Sequence, residues 1–162
     1  LVSSDGEEVN LAALVGTTVV YVYPMSSSDT ALLPDNWDSI PGACGCTPQH
    51  CNMRDHYAEV RGLGAGLFGL ATQPPAYLRS ETERLHLPYP LLSDEHLAFT
   101  EAMRLPTLEV EVAGTKVLKR TTLLLRDGVI AEVFYPVFPP DRASEQVLAW
   151  LRANPSDRPE GS

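Results

Sequence analysis

The sequence predicts an α/β protein in which a mixed central sheet is flanked by helices on both faces. Three observations carry that prediction. "TTVVYVYP" (17–24) and "AGLFGLAT" (65–72) are continuous apolar, β-branched and aromatic runs of strand length, as expected of strands buried on both faces. "KVLKRTTLLL" and "VIAEVFYPV" flank an Asp127-Gly128 turn as a β-hairpin. "DRASEQVLAWLRAN" then closes the pattern as an amphipathic helix presenting Val147, Leu148 and Leu151 to the core.

The other elements follow in order. "LVSSDGEEVNLAAL" holds a Ser-Asp-Gly turn and a short polar-to-apolar stretch, the remnant of a hairpin leading into one helical turn. Residues 25–45, rich in Ser, Pro, Gly and Asp, read as a long surface loop of the kind that carries function. Trp37 in its middle is either a cover for a site or a plain surface anchor. A helix begins at Cys46: Met53, Tyr57 and Val60 recur at helical spacing, and Pro48 falls in the first turn, where its missing N–H does no harm. Gly62 and Gly64 stop it. After the 65–72 strand come a charged helix, "PPAYLRSETERLH", a short strand around Pro90–Leu92, and a helix over 94–104 opened by Asp-Glu. Residues 1–154 are expected to form a single domain, with 155–162 a polar, disordered tail. A chain of 162 residues can bury a core without staples.

Composition excludes several classes. Hydrophobic residues at 44% and charged residues at 20% describe an ordinary globular protein, and no apolar run approaches a membrane span. The net charge of −9 is spread along the chain, whereas phosphate-backbone binding needs clustered Lys and Arg, so no nucleic-acid partner is expected. All three cysteines fall within "GACGCTPQHCNMRD", too few and too close for a secreted disulfide framework. The chain opens at Leu1 rather than Met, and a trimmed start is expected.

Cys44, Cys46 and Cys51 admit four readings: a metal knot, a structural disulfide, a redox pair, or core packing. Cys44, Cys46, His50 and Cys51 are potential ligands with His56 in reserve, but structural zinc takes ligands from two separated knuckles and only one is present. The remaining histidines, His86 and His96, have no partner pattern, and all four read as surface or packing residues. A resting Cys46–Cys51 disulfide conflicts with a helix, because residues five apart lie about 8–9 Å apart in Cα and roughly 140° around the axis. Bridging tolerates only about 7 Å. A pair that can join only when a turn melts is a switch. Cys46 at the helix N-terminus lies among unpaired N–H groups at the positive end of the macrodipole, which favour thiolate. Cys51, more than a turn inside, suits the role of resolving thiol.

"CTPQHCNMRD" resembles the active-site helix of the peroxiredoxins, in particular the bacterioferritin comigratory protein (PrxQ) branch. "VVYVYP", "GLATQ", "LHLPYPLLSDE" and "KRTTLLLRDGVIAEVF" are similar to other segments of that family, so the resemblance covers nearly the whole chain. It implies a thioredoxin-like fold and thiol-dependent reduction of hydrogen peroxide and organic hydroperoxides, with no metal or organic cofactor. It implies Cys46 as peroxidatic cysteine, Cys51 as resolving cysteine through an intramolecular disulfide, and Arg120 as the group that stabilises thiolate and peroxide. Pro24 matches the proline that shields the site. Thioredoxin or a similar dithiol is the implied reductant, and a cytoplasmic monomer the implied setting. The chain departs from the family's Pro-X-X-X-Thr-X-X-Cys motif: twenty-one residues separate Pro24 from Cys46, and Ala43 stands where the threonine belongs. Thr47, Ser39 or a backbone N–H is then left to bind peroxide. Cys44 is a second departure. A redox sensor using the same thiols without turnover, and a Cys/His metal-binding protein, are the rival readings.

Overall fold

The computed structural model describes residues 1–25, 45–112, 115–137 and 139–155. Expectations for the 25–45 loop beyond Met25, including Trp37, Ser39, Ala43 and Cys44, and for the tail from 156 onward, lie outside the described residues. The chain order is β1 (Val2–Ser3), a 3-10 turn (Leu11–Ala13), β2 (Thr17–Val22), α1 (Cys46–Asp55), α2 (Tyr57–Gly62), β3 (Ala65–Ala71) and α3 (Pro75–Leu85). It continues with β4 (Leu91–Ser93), α4 (Ala98–Met103), β5 (Thr107–Val112), β6 (Thr115–Leu118), β7 (Thr121–Arg126), β8 (Val129–Phe134), a 3-10 turn (Pro140–Arg142) and α5 (Ala143–Ala153).

Six strands form the central sheet in the order β1-β4-β3-β2-β7-β8, while β5 and β6 pair apart from it. The sheet is mixed: β2 runs parallel to β3 and antiparallel to β7. Strand β2 lies between these two and is buried at every residue. Its side chains alternate between two cores, as a period of two requires. Val19 and Tyr21 join Met53, Val60, Leu78, Val147, Leu148 and Leu151 on the face covered by α1, α2, α3 and α5. Val20 and Val22 join Leu11, Leu70, Leu92, Leu118 and Leu123 on the other, against which Phe99 of α4 packs.

Three expected elements are corrected. The helix from Cys46 breaks at His56, whose backbone sits at φ −107°, ψ 7°. Its ring Nδ1–H and its backbone N–H both donate to the Asn52 carbonyl, at 2.8 and 3.3 Å, a side-chain competition that ends regular helix. The helix expected over 94–104 begins only at Ala98. Asp94 is its cap: the carboxylate accepts from the N–H groups of Phe99 (3.0 Å) and Thr100 (2.7 Å), and the residues between form the turn. The expected strand over 116–125 is two strands, broken at Lys119-Arg120, where pairing passes from β5 to β2. Strand β5 has no counterpart among the expected elements, although "TLEVEV" alternates with strand period.

The Asp127-Gly128 turn forms as expected, with both residues at positive φ (49° and 78°). Asp127 also accepts from the Gly16 N–H at 2.8 Å, tying the hairpin tip to the start of β2. A Cβ at Gly128 would overlap the backbone carbonyl of Ala12 in the 3-10 turn. Gly128→Ala therefore combines backbone strain with a clash against rigid main chain, and is predicted to cost about 2 kcal/mol or more. Chemical denaturation of the two proteins checks this, with a lowered midpoint expected.

Candidate active site

Helix α1 starts where it does because Gly45, at φ +106°, turns the chain in the left-handed region just before Cys46. A Cβ on Gly45 would come within 2.5 Å of Pro140 Cγ, so the helix start packs directly on the 3-10 turn before α5. Farther along, the Asn52 side-chain oxygen accepts from the Ser144 N–H at 2.8 Å, fixing the back of α1 to α5.

The buried residues of α1 are Cys46, Gln49, His50 and Met53, spaced as one helix face. Only Met53 of these four is an ordinary apolar core residue. Arg120, from the break between β6 and β7, reaches this face and is itself 4% exposed. Its Nη1 and Nη2 each lie 3.5 Å from Cys46 Sγ, and Nη1 also donates to Gln49 Oε1 at 2.6 Å. The fork thus spans a thiol sulfur and a side-chain carbonyl. A buried guanidinium cannot shed its charge, so an anion beside it is strongly favoured. The sulfur is the nearby group able to become one, and it stands at a helix N-terminus.

Cys51 is half-buried and lies outside this inward-facing set. Both cysteines are thiols. Because α1 is regular through both, their Cα separation is that of the helix, about 8–9 Å. Among the described residues no group of three or more His, Cys, Asp or Glu could hold a metal ion. Thr47 does not join Arg120: its hydroxyl accepts from Arg84 at 3.3 Å, and Arg84 pairs with Glu81 at 2.5 Å. Pro24 is buried just past Tyr23, whose N–H bonds Leu70 O at 3.1 Å. The ladder ends at the proline, which has no N–H to extend it.

Behind the thiol lies a second buried group, centred on His50, which the sequence offered only as a potential metal ligand or a packing residue. His50, with no exposure, has its Nδ1 2.7 Å from the Tyr21 hydroxyl, which is also 2.7 Å from the Tyr89 hydroxyl. Its ring meets Tyr23 edge-on at 4.4 Å between centroids. Burial, then the positive charges of Arg120 and Arg84, push the His50 pKa down from 6.5 to about 3. Burial likewise raises both Tyr21 and Tyr89. Gln49 and His50 were detectable in principle: they stand three and four residues after Cys46, the offsets that share its face.

The mixed sheet with its flanking helices is a thioredoxin-like fold, and it carries a buried cysteine at a helix N-terminus gripped by a buried arginine. The redoxin family model matches residues 1–149, and the chain belongs to that family, in its peroxiredoxin Q (bacterioferritin comigratory protein) branch. The chloroplastic peroxiredoxin Q of Gentiana triflora is 28% identical over 154 residues, 94% of this chain but 63% of that protein. The chain thus spans less than two thirds of the length of such plant relatives. Peroxidoxin BcpB from Mycobacterium tuberculosis superposes with a TM-score of 0.73 at 25% identity, covering 95% of this chain and 91% of that one. The bacterioferritin comigratory protein of Xanthomonas campestris, whose structure is described in terms of alkyl peroxide reduction, shares the fold, with a TM-score of 0.72 at 24% identity over 94% and 88% of the two chains.

The depressed His50 pKa has a signed consequence. The folded state keeps the ring neutral while the unfolded state, near 6.5, takes up a proton. The contribution to stability is present above pH 6.5 and is lost progressively as pH falls from there toward 3. NMR titration is predicted to show no protonation of His50 between pH 7.5 and 5, and a midpoint near 6.5 in the folded protein contradicts this.

Proposed function

We propose that this chain is a thiol peroxidase that reduces hydrogen peroxide and organic hydroperoxides by a two-cysteine cycle. The observation that carries the proposal is the Arg120 fork on Cys46 Sγ, with a second thiol, Cys51, on the same helix. Arg120 and the helix-terminal N–H groups hold Cys46 as thiolate, the nucleophilic form. The thiolate attacks the terminal peroxide oxygen and the O–O bond breaks. Sulfur keeps one oxygen as a sulfenic acid, and the departing alkoxide or hydroxide takes a proton. The charge passing to the leaving oxygen is stabilised by the same guanidinium, whose geometry is fixed in advance by Gln49.

The Cys51 thiolate then attacks the sulfenic sulfur, hydroxide leaves and is protonated to water, and a Cys46–Cys51 disulfide forms. The helical separation exceeds disulfide reach, so the start of α1 unwinds in this step. A dithiol donor of the thioredoxin class returns two electrons and two protons by exchange. The cycle closes within one chain and suits a compartment that keeps thiols reduced, for which the cytoplasm is our proposal. Pro24 is assigned to shielding the site, in keeping with its burial after β2. Thr47 is engaged by Arg84 in the thiol state, and its hydroxyl can serve the peroxide only if that contact is given up.

Peroxide consumption coupled to a thioredoxin system tests the proposal. Cys46→Ser is predicted to abolish turnover. Cys51→Ser should retain the first oxidation and lose sustained turnover. Arg120→Lys, which keeps a charge but not the planar fork, should slow Cys46 oxidation by about tenfold to a hundredfold with the fold intact. Turnover that survives Cys46→Ser would sink the assignment, and an unchanged oxidation rate in Arg120→Lys would remove Arg120 from it.

A further inference from the structure

The inward face of α1 packs Met53 in the apolar core and also makes directional polar contacts. Cys46 and Gln49 are gripped by Arg120, while His50 is gripped by Tyr21 of β2, which in turn meets Tyr89 ahead of β4. All three members of this string are buried. Gly69 of β3, paired with Tyr21, leaves room for its ring: a Cβ there would lie 3.1 Å from the Tyr21 hydroxyl. We propose that the His50–Tyr21–Tyr89 string is the latch that keeps α1 wound, and so sets how fast oxidised Cys46 reaches Cys51. The gating of the disulfide step rests on the cycle proposed above; the latch on helix winding does not.

His50 is the residue before Cys51, inside the Cys46–Cys51 segment that changes shape when the bridge forms. Any opening that carries His50 off the sheet breaks its bond to Tyr21 and strands the Tyr21 hydroxyl with one partner fewer in a dry site. Wound, the helix keeps the thiols apart; released, the sulfenic sulfur and the Cys51 thiol can meet, forming S–S and expelling water. A sulfenic acid that waits behind a closed latch stays exposed to a second peroxide, which would carry it to sulfinic acid. Release also takes up a proton. The groups facing His50 include Tyr21 of β2, Tyr23 just past its end, Tyr89 through Tyr21, Arg120 and, farther off, Arg84, with Cys46 on its own helix. Burial keeps Tyr21 and Tyr89 neutral near pH 6, and the proton taken up on release is assigned to His50.

Amide hydrogen exchange of the reduced protein, read on the peptide carrying residues 46–51, reports opening without reliance on catalysis. In Tyr21→Phe, protection of that peptide at pH 7.5 should fall about three- to tenfold, the range for one lost hydrogen bond, while β3 keeps its protection. Disulfide formation after one equivalent of hydrogen peroxide should quicken by a similar factor. In Cys46→Ser protein, which lacks the ionisable sulfur, opening corrected for intrinsic exchange should rise about tenfold from pH 7.5 to 5.5, given a released His50 near 6.5. Unchanged protection in Tyr21→Phe overturns the latch. Should that variant not fold, a flat pH profile in Cys46→Ser overturns it instead. Lowered protection with no Cys46–Cys51 bridge supports the latch and overturns the resolving role of Cys51.

Discussion

The Arg120 guanidinium lies almost wholly out of water with its fork between Cys46 Sγ and Gln49 Oε1. A cation in that position needs an anion or a set of well-directed acceptors, and among those the site supplies are a side-chain carbonyl and an ionisable sulfur. Much of the surrounding architecture follows from bringing those groups together. The edge between β6 and β7 has to break so that Arg120 can leave the strand direction. Gly45 has to accept positive φ so that α1 begins at the cysteine, and Pro140 occupies the space its missing side chain leaves.

The same helix is asked to hold and to yield. Burial of an all-apolar face would fix α1 to the sheet by area alone, with nothing that chemistry at Cys46 could undo. Instead three of its four buried residues make specific polar or charge contacts, each lost as a unit when geometry changes. In the proposed cycle, oxidation of the sulfur alters one end of the Arg120 contact, and withdrawal of His50 breaks the contact to Tyr21. A small set of directional contacts is better suited to a two-state element than a continuous apolar seam.

Much of this was legible in the sequence because it depends on local pattern. The buried strands at 17–24 and 65–72, the Asp127-Gly128 hairpin and the closing helix follow from hydrophobic period and turn chemistry, and the family resemblance named Cys46 and Arg120, which the fold brings together, while the roles of these and of Cys51 belong to the proposal. What escaped depends on contacts between distant residues. Nothing near Lys119-Arg120 marks a strand break, because the break exists to aim Arg120 at a helix seventy-four residues earlier. The late start of α4 comes from Asp94 reaching past its own turn to cap Thr100. His50 read as a packing residue or a potential metal ligand, since Tyr21, and Tyr89 behind it, lie far off in sequence and come to it only through the β2–β3–β4 order of the sheet.

The central claim is that one buried arginine readies one thiol, and that its oxidation product ends in a bridge to the other thiol of the same helix. Non-reducing peptide mapping after one equivalent of hydrogen peroxide tests it most directly. The account predicts a Cys46–Cys51 cross-linked peptide as the dominant product, formed within a single chain. A dominant bridge from Cys44, a bridge between chains, or an untouched Cys46 would contradict it.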